Sequence, residues 1–346
     1  MGIFDDYPFI VSYVKGEEAH LLTSEHFSRL LKVKDALEAV EVIRGTDVGN
    51  YLGGYPIKTF DELDERLWLY LDESLKFIKW LKPVPSQILK LINIYMVKYD
   101  VINIKSVLRN LAAGKKARLI PLGTIHDRNL LPDLAGVTGP EAAVAILEHC
   151  GLADFASLLA DYRIDAEATE RAAFEGGLDR KYYSNLMRAA RKIPDGVVLN
   201  KVTGTLVDMK NLNIVFRAIT RNLGESAAIY TVGDGRLICG KDIIGLLNTK
   251  LSDTPARMPD PYRGLASEIV ESYEKTRSAT VIEGIVDRFE FSLLSEMLSR
   301  ILMSPLIIVW YLILKEIEIK NLRLVFKAAF DGRSPEEVRD SVVMIS

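Results

Sequence analysis

Cysteine and histidine are scarce: 346 residues hold two cysteines, Cys150 and Cys239, and four histidines, His20, His26, His126 and His149. Two thiols far apart in sequence and flanked by apolar residues build no disulfide framework, which predicts buried thiols in a reducing compartment such as the cytoplasm. The histidines are scattered, and neither Cys-x-x-Cys nor His-Glu-x-x-His occurs, so no metal ligand set is read. His149 beside Cys150 makes no nucleophile–base pair, because neighbours diverge on a helix, and no Gly-x-Ser-x-Gly elbow occurs. Charge of one sign is missing as well: 44 bases stand against 47 acids, a net charge of −3. No global field therefore draws the chain to nucleic acid or to an anionic membrane, and basic clusters such as Lys115-Lys116-Ala117-Arg118 are short. The most apolar run, Pro305 to Leu314, is ten residues long, half of the ~20 a membrane span needs, and reads as a buried helix. Met1 to Tyr7 lacks the basic and apolar regions of a signal peptide, and Asp6 stands where a myristoylation pattern wants Ser or Thr.

The patterning that does occur is helical. Apolar residues recur mostly at helical spacing and alternating β-branched runs are scarce, which predicts an all-α protein whose 49% hydrophobic content fills two or three cores. Short helices are expected at Thr23–Leu31, Val33–Ile43, Pro140–His149, Ala153–Tyr162 and Lys241–Thr249. Gly45–Gly54 and Thr254–Tyr262, dense in Gly, Pro, Asp and Asn, read as turns. Ser334, Pro335 and Glu337 read as a capping box opening a last short helix to Val343.

One motif occurs three times. Asp100-Val-Ile-Asn103-Ile104-Lys-Ser-Val107-Leu108-Arg109, Asp208-Met-Lys-Asn211-Leu212-Asn-Ile-Val215-Phe216-Arg217 and Glu318-Ile-Lys-Asn321-Leu322-Arg-Leu-Val325-Phe326-Lys327 share acid-x-x-Asn-aliphatic-x-x-Val-(Leu/Phe)-base. The copies start 108 and 110 residues apart, too far for a solenoid unit and close to one small domain each. A second landmark, Glu65-Arg66-Leu67-Trp68, Glu170-Arg171-Ala172-Ala173 and Glu283-Gly284-Ile285-Val286, precedes the acids by 35, 38 and 35 residues. Positions such as Leu212, Val215, Phe216 and Ile219 fall at i, i+3, i+4, i+7, so each copy is an amphipathic helix. At about 100° per residue the acid lies about 30° from the stripe centre, the Asn about 90° away at its edge, and the base about 150° away on the far face. An inward carboxylate needs a partner, so the acids read as structural ion pairs or caps, against the alternative of catalytic acids. The outward bases Arg109, Arg217 and Lys327 read as solvated charges or as an interface.

The strongest enzymatic lead is Gly235-Arg-Leu-Ile-Cys239-Gly240-Lys241-Asp242, which satisfies the Gly-x4-Gly-Lys of a phosphate loop. It fails at the next position, because Asp242 replaces the Ser or Thr hydroxyl that holds Mg²⁺. The competing reading makes this a linker in which Asp242 helps start a helix. No coherent active site emerges, and no catalytic, cofactor-binding or metal residue is assigned.

With the triplicated helix in view, the chain resembles the C subunits of archaeal-type and V-type rotary ATP synthases and ATPases, related to the eukaryotic d subunits. Tyr7-Pro8-Phe9-Ile10-Val11-Ser12-Tyr13-Val14-Lys15 is similar to the family's opening helix. Lys315 to Arg323 and Ser334-Pro335-Glu336-Glu337-Val338-Arg339 are similar to its closing segments. Ile104 for Leu and Trp310-Tyr311-Leu312-Ile313 for smaller residues are the departures. The resemblance implies three tandem pseudo-symmetric helical domains forming a funnel, with bounds read here as 1–120, 121–232 and 233–346. It implies a non-catalytic component of the central stalk, peripheral on the cytoplasmic face of the membrane. Such a component couples a shaft of the D and F subunits to a proteolipid c/K ring carrying protons or sodium ions, with membrane contact only through the ring. Rival readings are a stand-alone helical protein-binding scaffold and a nucleotide-dependent enzyme using Lys241.

Overall fold

The computed structural model describes residues 7–80, 84, 86–115, 117–193, 196–299, 304 and 306–345. Met1 to Asp6, read above for a leader, Lys116 of the basic cluster, and Pro305 at the head of the apolar run lie outside the described residues. Among the described residues every regular element is a helix. The chain divides into two compact units, one of residues 1–86 with 264–346 and one of residues 87–263.

The first unit begins with α1 (Tyr7–Glu18), α2 (Ser24–Leu30), α3 (Ala36–Ile43), α4 (Asp47–Gly53) and α5 (Phe60–Trp80). Side-chain oxygens set the starts of the short helices: Asp35 accepts from the Glu38 amide at 2.9 Å and Thr46 from the Gly49 amide at 3.2 Å. The Thr46 cap explains why Gly45–Gly54 is not the expected turn. It opens α4, whose Val48 and Leu52, four apart, are both buried in the core, and that burial outweighs the poor helix propensity of the glycines.

The second unit holds α6 (Ser86–Ala112), α7 (Thr124–Asp127), α8 (Leu131–Ala135), α9 (Pro140–His149), α10 (Ala153–Leu159), α11 (Ala168–Ala190), α12 (Gly196–Thr220), a 3₁₀ helix Gly224–Tyr230, α13 (Gly240–Leu247) and α14 (Thr254–Arg257). α9 and α10 pack as a hairpin, and α11 lies against α12. The expected turn at Thr254–Tyr262 is likewise partly helical, as α14.

Division between the units falls early in α15 (Tyr262–Thr276); α16 (Thr280–Leu298) and α17 (Leu306–Phe330) return the chain to the first unit. All of Leu306–Leu314 is buried, as the apolar run requires, and α17 packs against α1, α3, α5 and α16. The last helix is 3₁₀, Pro335–Ser341, and Ser334 caps the Glu336 amide at 3.3 Å in place of the expected capping box through Glu337. Cys150 is buried but Cys239 is exposed, contrary to expectation, because it occupies the N-cap of α13.

Candidate functional site

The three motif helices are α6, α12 and α17, and each repeats one hydrogen-bonding device. Asn103 accepts from the Ile120 amide at 2.7 Å and donates to the Ile120 carbonyl at 2.8 Å. Asn211 accepts from Val232 at 2.9 Å and donates to the Gly233 carbonyl at 2.7 Å. Asn321 accepts from Val343 at 3.0 Å and donates to its carbonyl at 2.6 Å. A primary amide has the donor and acceptor needed to hold a strand-like backbone, so in each copy it clamps the returning chain onto the helix that precedes it. At the stripe edge all three are fully buried, because the clamped backbone covers that edge.

The acid one turn earlier binds the segment after the clamp. Asp100 accepts from Thr124 and Ile125 at 2.8 and 2.9 Å, where α7 begins. Asp208 accepts from Arg236, Leu237 and Ile238 at 2.9–3.1 Å, and from the Tyr262 hydroxyl at 2.7 Å. Glu318 breaks the chain order. It accepts from Leu22, ahead of α2, at 2.7 Å and from the Lys315 ammonium at 3.0 Å, so the last motif holds the start of the chain. Lys315 also donates to the Tyr70 hydroxyl at 2.8 Å.

Glycine is required where the acid is short. A Cβ on Gly123, whose φ is +99°, would meet Asp100 Oδ1 at 2.6 Å, and one on Gly235 would meet Asp208 Oδ1 at 1.9 Å. The third copy has Leu21 before its donating amide and Glu in place of Asp. One more methylene spans the gap that a side-chain-bearing neighbour leaves.

Burial pushes the Asp100 carboxyl up to about 7, against the lowering effect of its two backbone amides. The Asp208 carboxyl is also raised by burial, which outweighs its Tyr262 hydroxyl and three amides. The same contacts occupy the phosphate-loop segment: amides 236–238, which a phosphate would need, already bind Asp208. Asp242 accepts from the Cys239 amide at 2.8 Å and starts α13, as the linker reading has it. Among the described residues no group of three or more His, Cys, Asp or Glu is placed to hold a metal.

The bases have intramolecular partners. Arg109, exposed, donates through Nε to Glu175 at 2.7 Å and also through Nη2, both inside the second unit. Lys327 bonds Asp331 at 2.8 Å and lies 5.0 Å over the Phe60 ring. Arg217 is half-buried. Sequence reading missed a second base, five residues past the acid: Lys105 pairs with Asp179 on α11, and Arg323 with Asp64 on α5. Asp287 on α16 pairs with Lys320, and Asp179 is also 3.8 Å from Lys210. The matching positions on these helices are thus Asp64, Asp179 and Asp287, in Leu-Asp, Leu-Asp and Val-Asp doublets. These correct the landmark beginning at Glu65, Glu170 and Glu283, which aligned by distance from the acids although the intervening loops differ in length. The doublets were the readable signal.

Among the described residues the chain is all-helical, and its recurring buried polar groups bind its own backbone. It belongs to the ATP synthase (C/AC39) subunit family, which it matches over residues 10–341. Relatives include the C subunit of the A-type ATP synthase of Methanocaldococcus jannaschii, 24% identical over 98% of this chain and 86% of that protein. The corresponding protein of Methanothermobacter thermautotrophicus is 26% identical over 96% and 87%, and that of Methanococcoides burtonii 24% over 99% and 96%.

Proposed function

We propose that this chain is the non-catalytic coupler of a rotary ATP synthase, joining a central shaft of the D and F subunits to the membrane proteolipid ring that moves protons or sodium ions. The observation that carries the reading is the family match over nearly the whole chain, together with relatives named as C subunits of A-type ATP synthases that are covered along most of their length. The closed clamps support it: a part that passes torque needs a chain whose ends and connections are tied to its helices. No helix of the described residues is long and apolar enough to cross a membrane. In this reading the protein is peripheral, on the cytoplasmic face, and meets the membrane only through the ring. Three tandem segments, 1–120, 121–232 and 233–346, each carrying one motif helix, form the funnel that seats the shaft.

Affinity purification of the tagged chain from native membranes, with the bound proteins identified, tests the proposal. Co-purification with the shaft components and the proteolipid is the expected result. Recovery of the chain without them, away from membranes, favours the stand-alone scaffold.

A further inference from the structure

The second unit contains a groove of about 560 Å³ between the N-terminal half of α6, the start of α10 and the C-terminal half of α11. Leu91, Ile94, Leu152 and Phe155 line its floor, while Lys90, Arg188 and Lys192 stand at its rim, all three exposed. The one acid in the lining, Asp154, is already held by Lys181 at 3.4 Å and Asn185 at 3.2 Å. The groove is thus apolar below and basic above.

The first unit shows what occupies the corresponding place. Its α17 matches α6 through the shared acid and Asn clamp, and its α5 matches α11 because Asp64 and Asp179 both take the base five residues past the acid. Counting along from these anchors, Tyr70 corresponds to Asn185, Phe77 to Lys192, and Leu312 to Ile94. In the first unit this seat is filled. α1 packs on α17, buries Ile10 and Val14 completely, and stacks Tyr13 on Phe77 at 5.1 Å between ring centroids. Leu312 is 1% exposed there, whereas Ile94 is only half-buried. Nothing in the second unit stands where α1 would, among the described residues, and the stacking Phe77 is replaced by a cation.

We propose that the groove between α6, α10 and α11 receives one amphipathic helix of a partner polypeptide, apolar on its inner face and acidic on its flanks. Its apolar side chains rest on Leu91, Ile94 and Phe155 as those of α1 rest in the first unit, in the helix-in-groove mode. Where α1 carries Tyr13, the guest carries Asp or Glu against Lys192, and a second acid meets Arg188 or Lys90. The inference stands on the internal correspondence and does not depend on the coupling role.

The test uses the full chain and two fluorescein-labelled synthetic helices of about 18 residues. Both have Leu at i, i+3, i+4 and i+7; one is flanked by Glu and the other by Lys. By anisotropy the Glu peptide binds with a roughly micromolar Kd and the Lys peptide about tenfold or more weaker. Arg188→Glu with Lys192→Glu reverses that order, and Ile94→Arg weakens both peptides at least about tenfold. Thermal melts accompany each variant; should Ile94→Arg unfold the unit, the surface charge pair still reads the site. Equal affinity for both peptides, no saturable binding at all, or binding untouched by the charge pair overturns the proposal. So does sedimentation showing a dimer of this chain that Ile94→Arg dissolves, which would make a second copy's α1 the occupant.

Discussion

Single atoms decide much of this structure, and Gly235 is the clearest case. With Asp208 Oδ1 1.9 Å from where its Cβ would stand, Gly235→Ala must push the carboxylate off three amides. A loss of about 2–4 kcal/mol is expected in urea unfolding. Gly177, on α11 with nothing within 4 Å, is the control, where Ala stabilises by about 0.5–1 kcal/mol. Asp100 carries a pH signature. Its folded pKa, about 7, stands above the ordinary 3.8 because burial disfavours the charge, so between those values the folded chain holds a proton that the unfolded chain has released. Its contribution to stability is therefore complete below about pH 4 and is lost as pH rises to about 7. Relative to Asp100→Asn, the native chain should lose up to about 4 kcal/mol over that window and nothing further above it. A parallel pair of stability-against-pH curves for the two proteins would refute this.

Among the elements, the motif helix is a spine to which the following backbone is buttoned. Asn321→Ala removes both bonds to Val343 and leaves a buried amide and carbonyl unpartnered. It should lower stability by about 2–4 kcal/mol and speed hydrogen exchange at the Val343 amide. Arg109→Glu, on the exposed side of α6, places like charges against Glu175; exposure limits the loss to about 1 kcal/mol, and Glu175→Arg in the same chain should restore it. No rescue by the double change would mean that the pairing carries no energy. Because amides 236–238 already serve Asp208, calorimetry with MgATP should detect no binding to the isolated chain, and saturable binding abolished by Lys241→Ala would reinstate the enzyme reading.

Across the full chain, the unequal third clamp matters most, since Glu318 and Asn321 gather Leu22 near one end and Val343 near the other onto α17. Deleting residues 333–346 should therefore raise hydrogen exchange along α16 and α17 of the first unit while leaving α9, α10 and α12 of the second nearly unchanged; uniform loss of protection would refute the separation. The all-helical class, the three motif helices with inward acids and the buried run in α17 were legible in residue order, because periodicity and hydrophobicity are properties of side chains in succession. Enough of the family's pattern was there for membership to be legible too. What the acids and asparagines hold was not. Most of their partners are backbone amides and carbonyls, as at Leu22, Ile120, Val232 and Val343, and nearly every residue type offers those groups alike, so no letter in the sequence marks them. Only the folded chain shows that Arg109 meets Glu175 and that α1 fills a seat left open in the other unit, since both follow from helices brought side by side across long stretches of chain.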